Sequence, residues 1–171
     1  GGVTALINTN LTGASLAHCI TVVSARTVVV DAALTGALES ARPYLPEDIA
    51  IWGVGETRHQ RLDTIIDRFD GANLSGAERP ALTIEDRCIY IYTSGTTGLP
   101  KAARFSHSRF VSGGMYHLLS GFGARDALYC ALPLYHTVAG VICVNAVLLT
   151  GARLVLRRSF SASHFWQDIV E

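Results

Sequence analysis

The sequence predicts an α/β fold: a mostly parallel sheet with helices on both faces. One observation predicts the class, and two more establish that the chain folds on a core of its own. Short β-branched runs alternate with helical segments along most of the 171 residues, the pattern of strands joined by crossover helices. The composition is 49% hydrophobic and only 16% charged, against about 25% charged in ordinary domains, which excludes a disordered chain. At this length a domain buries roughly 70% of its unfolded surface, so no disulfide staple is needed.

The elements follow in order. Val3–Ile7 is a short apolar strand, broken by Asn8-Thr9-Asn10. Thr12 can cap a helix over Gly13–Ser24, with Leu16, Cys19, Ile20 and Val23 at helical spacing. Arg26–Asp31 is β-branched and reads as a buried strand; Ala32–Ala41 is an Ala/Leu-rich helix halted by Pro43. Ile49–Trp52 is a strand closing at Gly53-Val54-Gly55, and Thr57–Phe69 reads as a helix with Leu62, Ile65, Ile66 and Phe69 on one face. Asp70–Leu82 combines Gly, Asn, Ser and Pro without periodicity and reads as a loop. Beyond it come a strand over Arg87–Tyr92, a second over Lys101–Phe105 and a helix over Ser108–Leu119 despite Gly113-Gly114. The rest reads as a strand over Ala127–Leu132, a helix over Thr137–Leu149, a strand over Arg153–Leu156, and a last helix through Val170 capped by Ser161 or Ser163. The organisation is thus β/α units over 1–69, a loop over 70–86, and further units over 87–171. Ligands in open α/β sheets sit beyond the carboxyl ends of strands, which directs attention to the loops after Trp52 and Tyr92 and around Leu134.

Charge and composition exclude several functions. Fourteen basic residues balance fourteen acidic ones, so nothing supports a nucleic-acid grip built on phosphate contacts. The six His show neither H-x-x-x-H nor H-E-x-x-H spacing, and no metal site is expected. Cys19, Cys88, Cys130 and Cys143 lie singly in apolar runs, the pattern of buried thiols in a reducing, cytoplasmic compartment. Val138–Leu149 contains Asn145 and is well short of the ~20 apolar residues of a spanning helix. The opening Gly1-Gly2-Val3 lacks a Met and lies in an apolar run, which reads as a segment of something longer.

Chemistry concentrates in Thr93-Ser94-Gly95-Thr96-Thr97-Gly98-Leu99-Pro100-Lys101. Its two glycines let the backbone approach an anion and expose N–H groups. Thr93, Ser94, Thr96 and Thr97 add hydroxyl donors, and Lys101 supplies a point charge for phosphate oxygens. Together they describe a polyphosphate cradle; the competing reading is a flexible hairpin. The segment is not a Walker A loop, because Pro100 precedes Lys101 and Ala102 follows it. Gly53-Val54-Gly55-Glu56-Thr57-Arg58 does not complete a G-x-G-x-x-G either and reads as a plain turn. Thirteen of the fourteen basic residues are Arg; the single Lys stands at the end of this loop.

Tyr92–Lys101 resembles the phosphate-binding signature of the adenylate-forming superfamily, which includes acyl-CoA synthetases, luciferases and peptide-synthetase adenylation domains. Ile89–Tyr92, Lys101-Ala102-Ala103 and Ser106–Phe110 are similar to one branch, the fatty acid transport proteins and very-long-chain acyl-CoA synthetases. Leu6–Leu11, Leu16-Ala17-His18-Cys19, and Leu132-Pro133-Leu134-Tyr135-His136-Thr137 with Gly140 extend the similarity from Gly2 to about Arg157.

The resemblance implies part of the large N-terminal domain of an adenylate-forming enzyme. It implies an ATP-dependent fatty acyl-CoA synthetase, with ATP, Mg2+, coenzyme A and a long- or very-long-chain fatty acid as cofactors and partners. Thr93, Ser94, Gly95, Thr96, Thr97, Gly98 and Lys101 would hold the β- and γ-phosphates. His136 would lie near the acyl carboxylate and α-phosphate, positioning or gating rather than exchanging protons. Tyr135, Val138 and Val141 either line the acyl pocket or pack in the core. The family's Y-G-x-T-E motif, ribose-binding Asp, hinge Arg and C-terminal Lys are absent from this sequence, so the segment is expected to be inactive alone. Self-association through exposed apolar surface and peripheral membrane association are further expectations. The competing functions are a fatty-acid uptake protein, another adenylate-forming ligase, or a silent nucleotide-binding module.

Overall fold

The computed structural model describes residues 1–94 and 98–170. Along the chain the elements are β1 (Thr4–Leu6), α1 (Gly13–Thr21), β2 (Thr27–Asp31), α2 (Thr35–Ala41), β3 (Ala50–Val54), β4 (Gln60–Arg61), α3 (Leu62–Ile66), β5 (Arg87–Thr93), β6 (Lys101–Ser106), α4 (His107–Leu119), β7 (Ala127–Cys130), a π-helical turn (Val138–Cys143), α5 (Val144–Thr150), β8 (Arg153–Leu156) and α6 (Phe165–Val170). The α/β expectation holds, with the strands distributed over three small sheets ordered β1-β5-β6, β2-β3-β4 and β7-β8. Pairings of β1 with β5, β2 with β3, β3 with β4 and β7 with β8 are all parallel. The chain divides into two compact units.

The first unit comprises Gly1, Ile7–Ala81 and Tyr92–Ala102. Its core is Ile20, Val30, Leu38 and Ile49, with Ile7, Leu16, Val28, Leu45 and Ile51 packed around it. The helical spacing of Leu16, Cys19 and Ile20 is what turns α1 onto this core. Thr12 stands at the N-cap of α1 but makes no side-chain capping bond; the Gly13 N–H is instead satisfied by Ser40 Oγ at 2.8 Å. The helix ends at Thr21, short of Ser24, because Ser24 turns left-handed at φ 53°. Asp31 accepts from Ala33 N at 2.9 Å and opens a 3₁₀ turn into α2. Pro43 sits in a second 3₁₀ turn after Ala41.

The helix expected over Thr57–Phe69 is reduced to α3, and β4 precedes it. The reason is local competition. Thr57 Oγ1 accepts from His59 N at 3.0 Å, a turn that withdraws the backbone from a helix, while Gln60 and Arg61 pair with Trp52 and Gly53. Arg61 then forks onto Asp63, with Nε 3.2 Å from Oδ1 and Nη2 2.7 Å from Oδ2. That fork chiefly, with the Gly55 N–H at 3.3 Å, outweighs burial and holds the Asp63 carboxyl at about 2, below its ordinary 3.8. A carboxylate depressed in the folded state stabilises the fold above its unfolded pKa, and the contribution is lost as pH falls through the folded value. Acid denaturation of the wild type should therefore steepen between pH ~4 and ~2 relative to Asp63→Asn, followed by circular dichroism. Parallel acid limbs would reject the assignment.

The second unit comprises Gly2–Leu6, Leu82–Ile91 and Ala103–Glu171. Ile89, Ile91 and Val141 form one buried cluster, packed by Leu6, Cys88, Phe105 and Phe110; Cys130, Ala139 and Cys143 form another. Alternation along β5 puts Ile89 and Ile91 inward. Ser106 caps α4, accepting from Arg109 N at 3.3 Å. Gly113-Gly114 is tolerated in α4 because the helix lies close on α5: a Cβ at 114 would stand 2.5 Å from the Asn145 carbonyl carbon. The helix expected over Thr137–Leu149 is a π-helical turn followed by α5, stopped by Gly151 at φ 73°. Asp168 is buried in α6 and bound by Arg157 Nε at 2.9 Å. All four cysteines are free thiols. Burial, then the neighbouring Cys130, pushes Cys143 up to about 11, the behaviour of an inert core thiol. Among the described residues no helix is long and apolar enough to cross a membrane.

Candidate functional site

The Thr93–Lys101 loop leaves the end of β5 and returns as β6. Thr93 and Ser94 are exposed at the carboxyl end of β5, and Lys101 is exposed at the start of β6. Gly98 adopts φ 84° with open space where a side chain would begin, a conformation only glycine takes readily. Gly95, Thr96 and Thr97 lie outside the described residues. The described part of the loop therefore presents two hydroxyls, a left-handed glycine and an ammonium group.

Two contacts from α1 hold the loop's flanks. The Tyr92 hydroxyl, just before the loop, donates to the Cys19 carbonyl. At its far end, the half-buried His18 ring places Nε2 3.0 Å from the Pro100 carbonyl oxygen. His18 is 82 residues from Pro100 in sequence. The sequence quotes it only within the Leu16–Cys19 pattern, and no local signal couples it to the loop.

His136 belongs to the second unit. It is exposed and lies just before the π-helical turn; such turns concentrate at functional sites. Its backbone is held on both sides, with His136 N donating to Pro133 O at 2.9 Å and Gly140 N donating to His136 O at 2.8 Å. The Val138 N–H donates to His136 Nδ1 at 3.2 Å. A ring nitrogen that accepts carries no proton, so the neutral imidazole holds its proton on Nε2. Gly140 is required here: a Cβ would meet the Leu134 carbonyl oxygen at 2.0 Å. Of the candidate pocket residues, Val141 is a core residue at 1% exposure, Val138 is exposed and Tyr135 half-buried. Among the described residues no group of three or more His, Cys, Asp or Glu could hold a metal ion.

Against known proteins, the family described as "AMP-binding enzyme" matches residues 1–171. Long-chain fatty acid transport protein 6 of Homo sapiens is 36% identical over 171 residues, covering 98% of this chain and 28% of the relative. Long-chain fatty acid transport protein 2 of Rattus norvegicus is 37% identical, covering 96% of this chain and 27% of the relative. The chain thus spans about a quarter of the length of these relatives. Among solved structures, ATP-bound MatB from Rhodopseudomonas palustris matches with a TM-score of 0.74 at 26% identity, over 98% of this chain and 32% of that one. The N-terminal domain of FACL13 from Mycobacterium tuberculosis matches with a TM-score of 0.73 at 22% identity, over 98% of this chain and 40% of that one, which is a likeness of fold. The parallel strands and the family match across every residue agree: the chain belongs to the AMP-binding enzymes.

Proposed function

We propose that the protein carrying this chain is an ATP-dependent fatty acyl-CoA synthetase. The observation that carries the reading is the Thr93–Lys101 loop: hydroxyls, a left-handed Gly98 and an ammonium group at the adjoining ends of two strands. Relatives named long-chain fatty acid transport proteins support a fatty acid as the carboxylate substrate.

In this reading a fatty-acid carboxylate oxygen attacks the α-phosphorus of ATP. The bond to the bridging oxygen breaks, pyrophosphate leaves and an acyl-adenylate forms. The loop amides and hydroxyls hold the β- and γ-phosphates, and Lys101 offsets the charge that gathers on the departing pyrophosphate. His136, with its proton on Nε2, donates to a carboxylate or phosphate oxygen and orients it; with Nδ1 engaged by Val138 N–H, it is a positioning group rather than a base. The coenzyme A thiol, losing its proton, then attacks the acyl carbon and AMP leaves. Mg2+ bound with the ATP would supply further charge neutralisation at the phosphates.

The 171 residues do not complete this cycle alone, since the adenine, ribose and hinge motifs of the family are not among them. The free thiols fit a cytoplasmic setting. Exposed apolar residues such as Leu119, Leu148 and Trp166 offer surface for self-association or peripheral membrane contact.

The test is fatty-acid-dependent exchange of labelled pyrophosphate into ATP by the full-length protein, followed by acyl-CoA formation when coenzyme A is added. Exchange that ignores the fatty acid, or none at all, would sink the proposal. The relatives' names favour a second reading, a separate fatty-acid uptake activity. Uptake that persists in a synthetase-dead Lys101→Ala variant would establish it; uptake lost in parallel would assign it to trapping of the acid as its thioester.

A further inference from the structure

We infer that His18 is a positioning residue for the ATP phosphates, acting through the Pro100–Lys101 peptide. The inference rests on the synthetase reading above and adds a residue to it. The Pro100–Lys101 peptide has two polar handles, the Pro100 carbonyl oxygen and the Lys101 N–H, and His18 takes the first. That oxygen only accepts, so the contact at 3.0 Å makes His18 Nε2 the donor. A peptide unit is planar from one Cα to the next. Anchoring the Pro100 oxygen therefore restrains the plane whose other end is the Lys101 Cα, from which the phosphate-binding side chain starts.

The donor is itself well placed to be rigid. His18 lies in the middle of α1, between the buried Ala17 and Cys19. The same helix also receives the Tyr92 hydroxyl on the Cys19 carbonyl. Adjacent residues of one packed helix thus grip the residue before the loop and the residue before Lys101. Gly98, three residues before Lys101, has open space where a side chain would begin, and pre-organisation of a charged group lowers the ordering cost that ATP binding would otherwise carry.

The experiment compares His18→Met and His18→Gln in the full-length protein, with Lys101→Ala alongside. Gln places an amide N–H at about the reach of the imidazole Nε2; Met has a similar reach without a donor. Losing one such hydrogen bond corresponds to about a 5-fold weakening. His18→Met should therefore raise the KM for ATP about 5-fold, leave the KM for fatty acid and coenzyme A unchanged, and reduce the ATP-induced rise in melting temperature. His18→Gln should stay within about 2-fold of wild type for ATP. Equal ATP affinity in the Met and Gln variants, or a parallel loss for all three substrates, would overturn the inference. If His18→Met does not fold, His18→Asn, whose shorter amide cannot reach the Pro100 oxygen, takes its place: a KM for ATP raised about 5-fold beside a near-normal Gln variant supports the inference, and ATP affinity equal to that of Gln overturns it. Should Lys101→Ala bind ATP as wild type does, the loop reading itself falls; should it lose ATP while His18→Met does not, only the role of His18 falls.

Discussion

Lys101→Ala is expected to lower kcat/KM for ATP on the order of 100-fold in fatty-acid-dependent pyrophosphate exchange by the full-length protein. The size follows from the charge balance of the step. One further negative charge gathers on the leaving pyrophosphate as the bridging oxygen parts from the α-phosphorus, and a preorganised cation beside it is worth far more than one in bulk water. Lys101 is the single Lys of the chain, and Arg104, three positions along β6, falls on the opposite face of the strand. Thr96→Ala added to Lys101→Ala should deepen the loss by less than the product of the two separate effects, because both groups serve the same phosphates. The KM for fatty acid should be unchanged. Exchange at the wild-type rate in the Lys101→Ala protein would remove the loop from the mechanism.

Gly140→Ala is expected to be the most damaging single methyl in the second unit. The added carbon would stand 2.0 Å from the Leu134 carbonyl oxygen, 3.1 Å from its carbon and 3.2 Å from Leu6 Cδ1. The turn cannot swing outward to make room, because Ala139 and Val141 on either side are 0% and 1% exposed. Overpacking of this severity costs about 3 kcal/mol, or a melting temperature lower by about 6–12 °C for a domain of this size. The strain also falls on the His136 turn, since the Gly140 N–H binds the His136 carbonyl. The variant should therefore lose fatty-acid activation even below its melting temperature. A midpoint within about 1 °C of wild type would show that the turn relaxes where the packing says it cannot.

The two positions differ in how they can be read. The role proposed for Lys101 is legible along the chain because the residues that suggest it are sequence neighbours: glycines and hydroxyl residues within the eight positions before it, after a hydrophobic strand. Gly140 is marked only by the family resemblance, and nothing in its neighbours says why a glycine is needed. Its requirement comes from a carbonyl six residues away brought against it by a π-helical turn, and the apolar run Val138–Leu149 reads equally well as an ordinary helix. The shortened α3 has the same origin, for a side-chain turn at Thr57 and pairing of β4 to β3 override a helical pattern that is present in the residues.

The α/β class and the alternation of strands and helices are legible in the residues alone, as is the loop proposed here to hold phosphate. Each depends on short-range periodicity, composition or a contiguous motif, which are properties of neighbouring residues. The tertiary structure decided what depends on residues distant along the chain. Among the described residues it divided the strands among three sheets, put His18 against Pro100 across 82 positions, and engaged His136 Nδ1 with the Val138 N–H. A hydrogen bond between distant segments leaves no periodic trace in either one, so only packing reveals which side chain steadies the loop that the sequence makes visible.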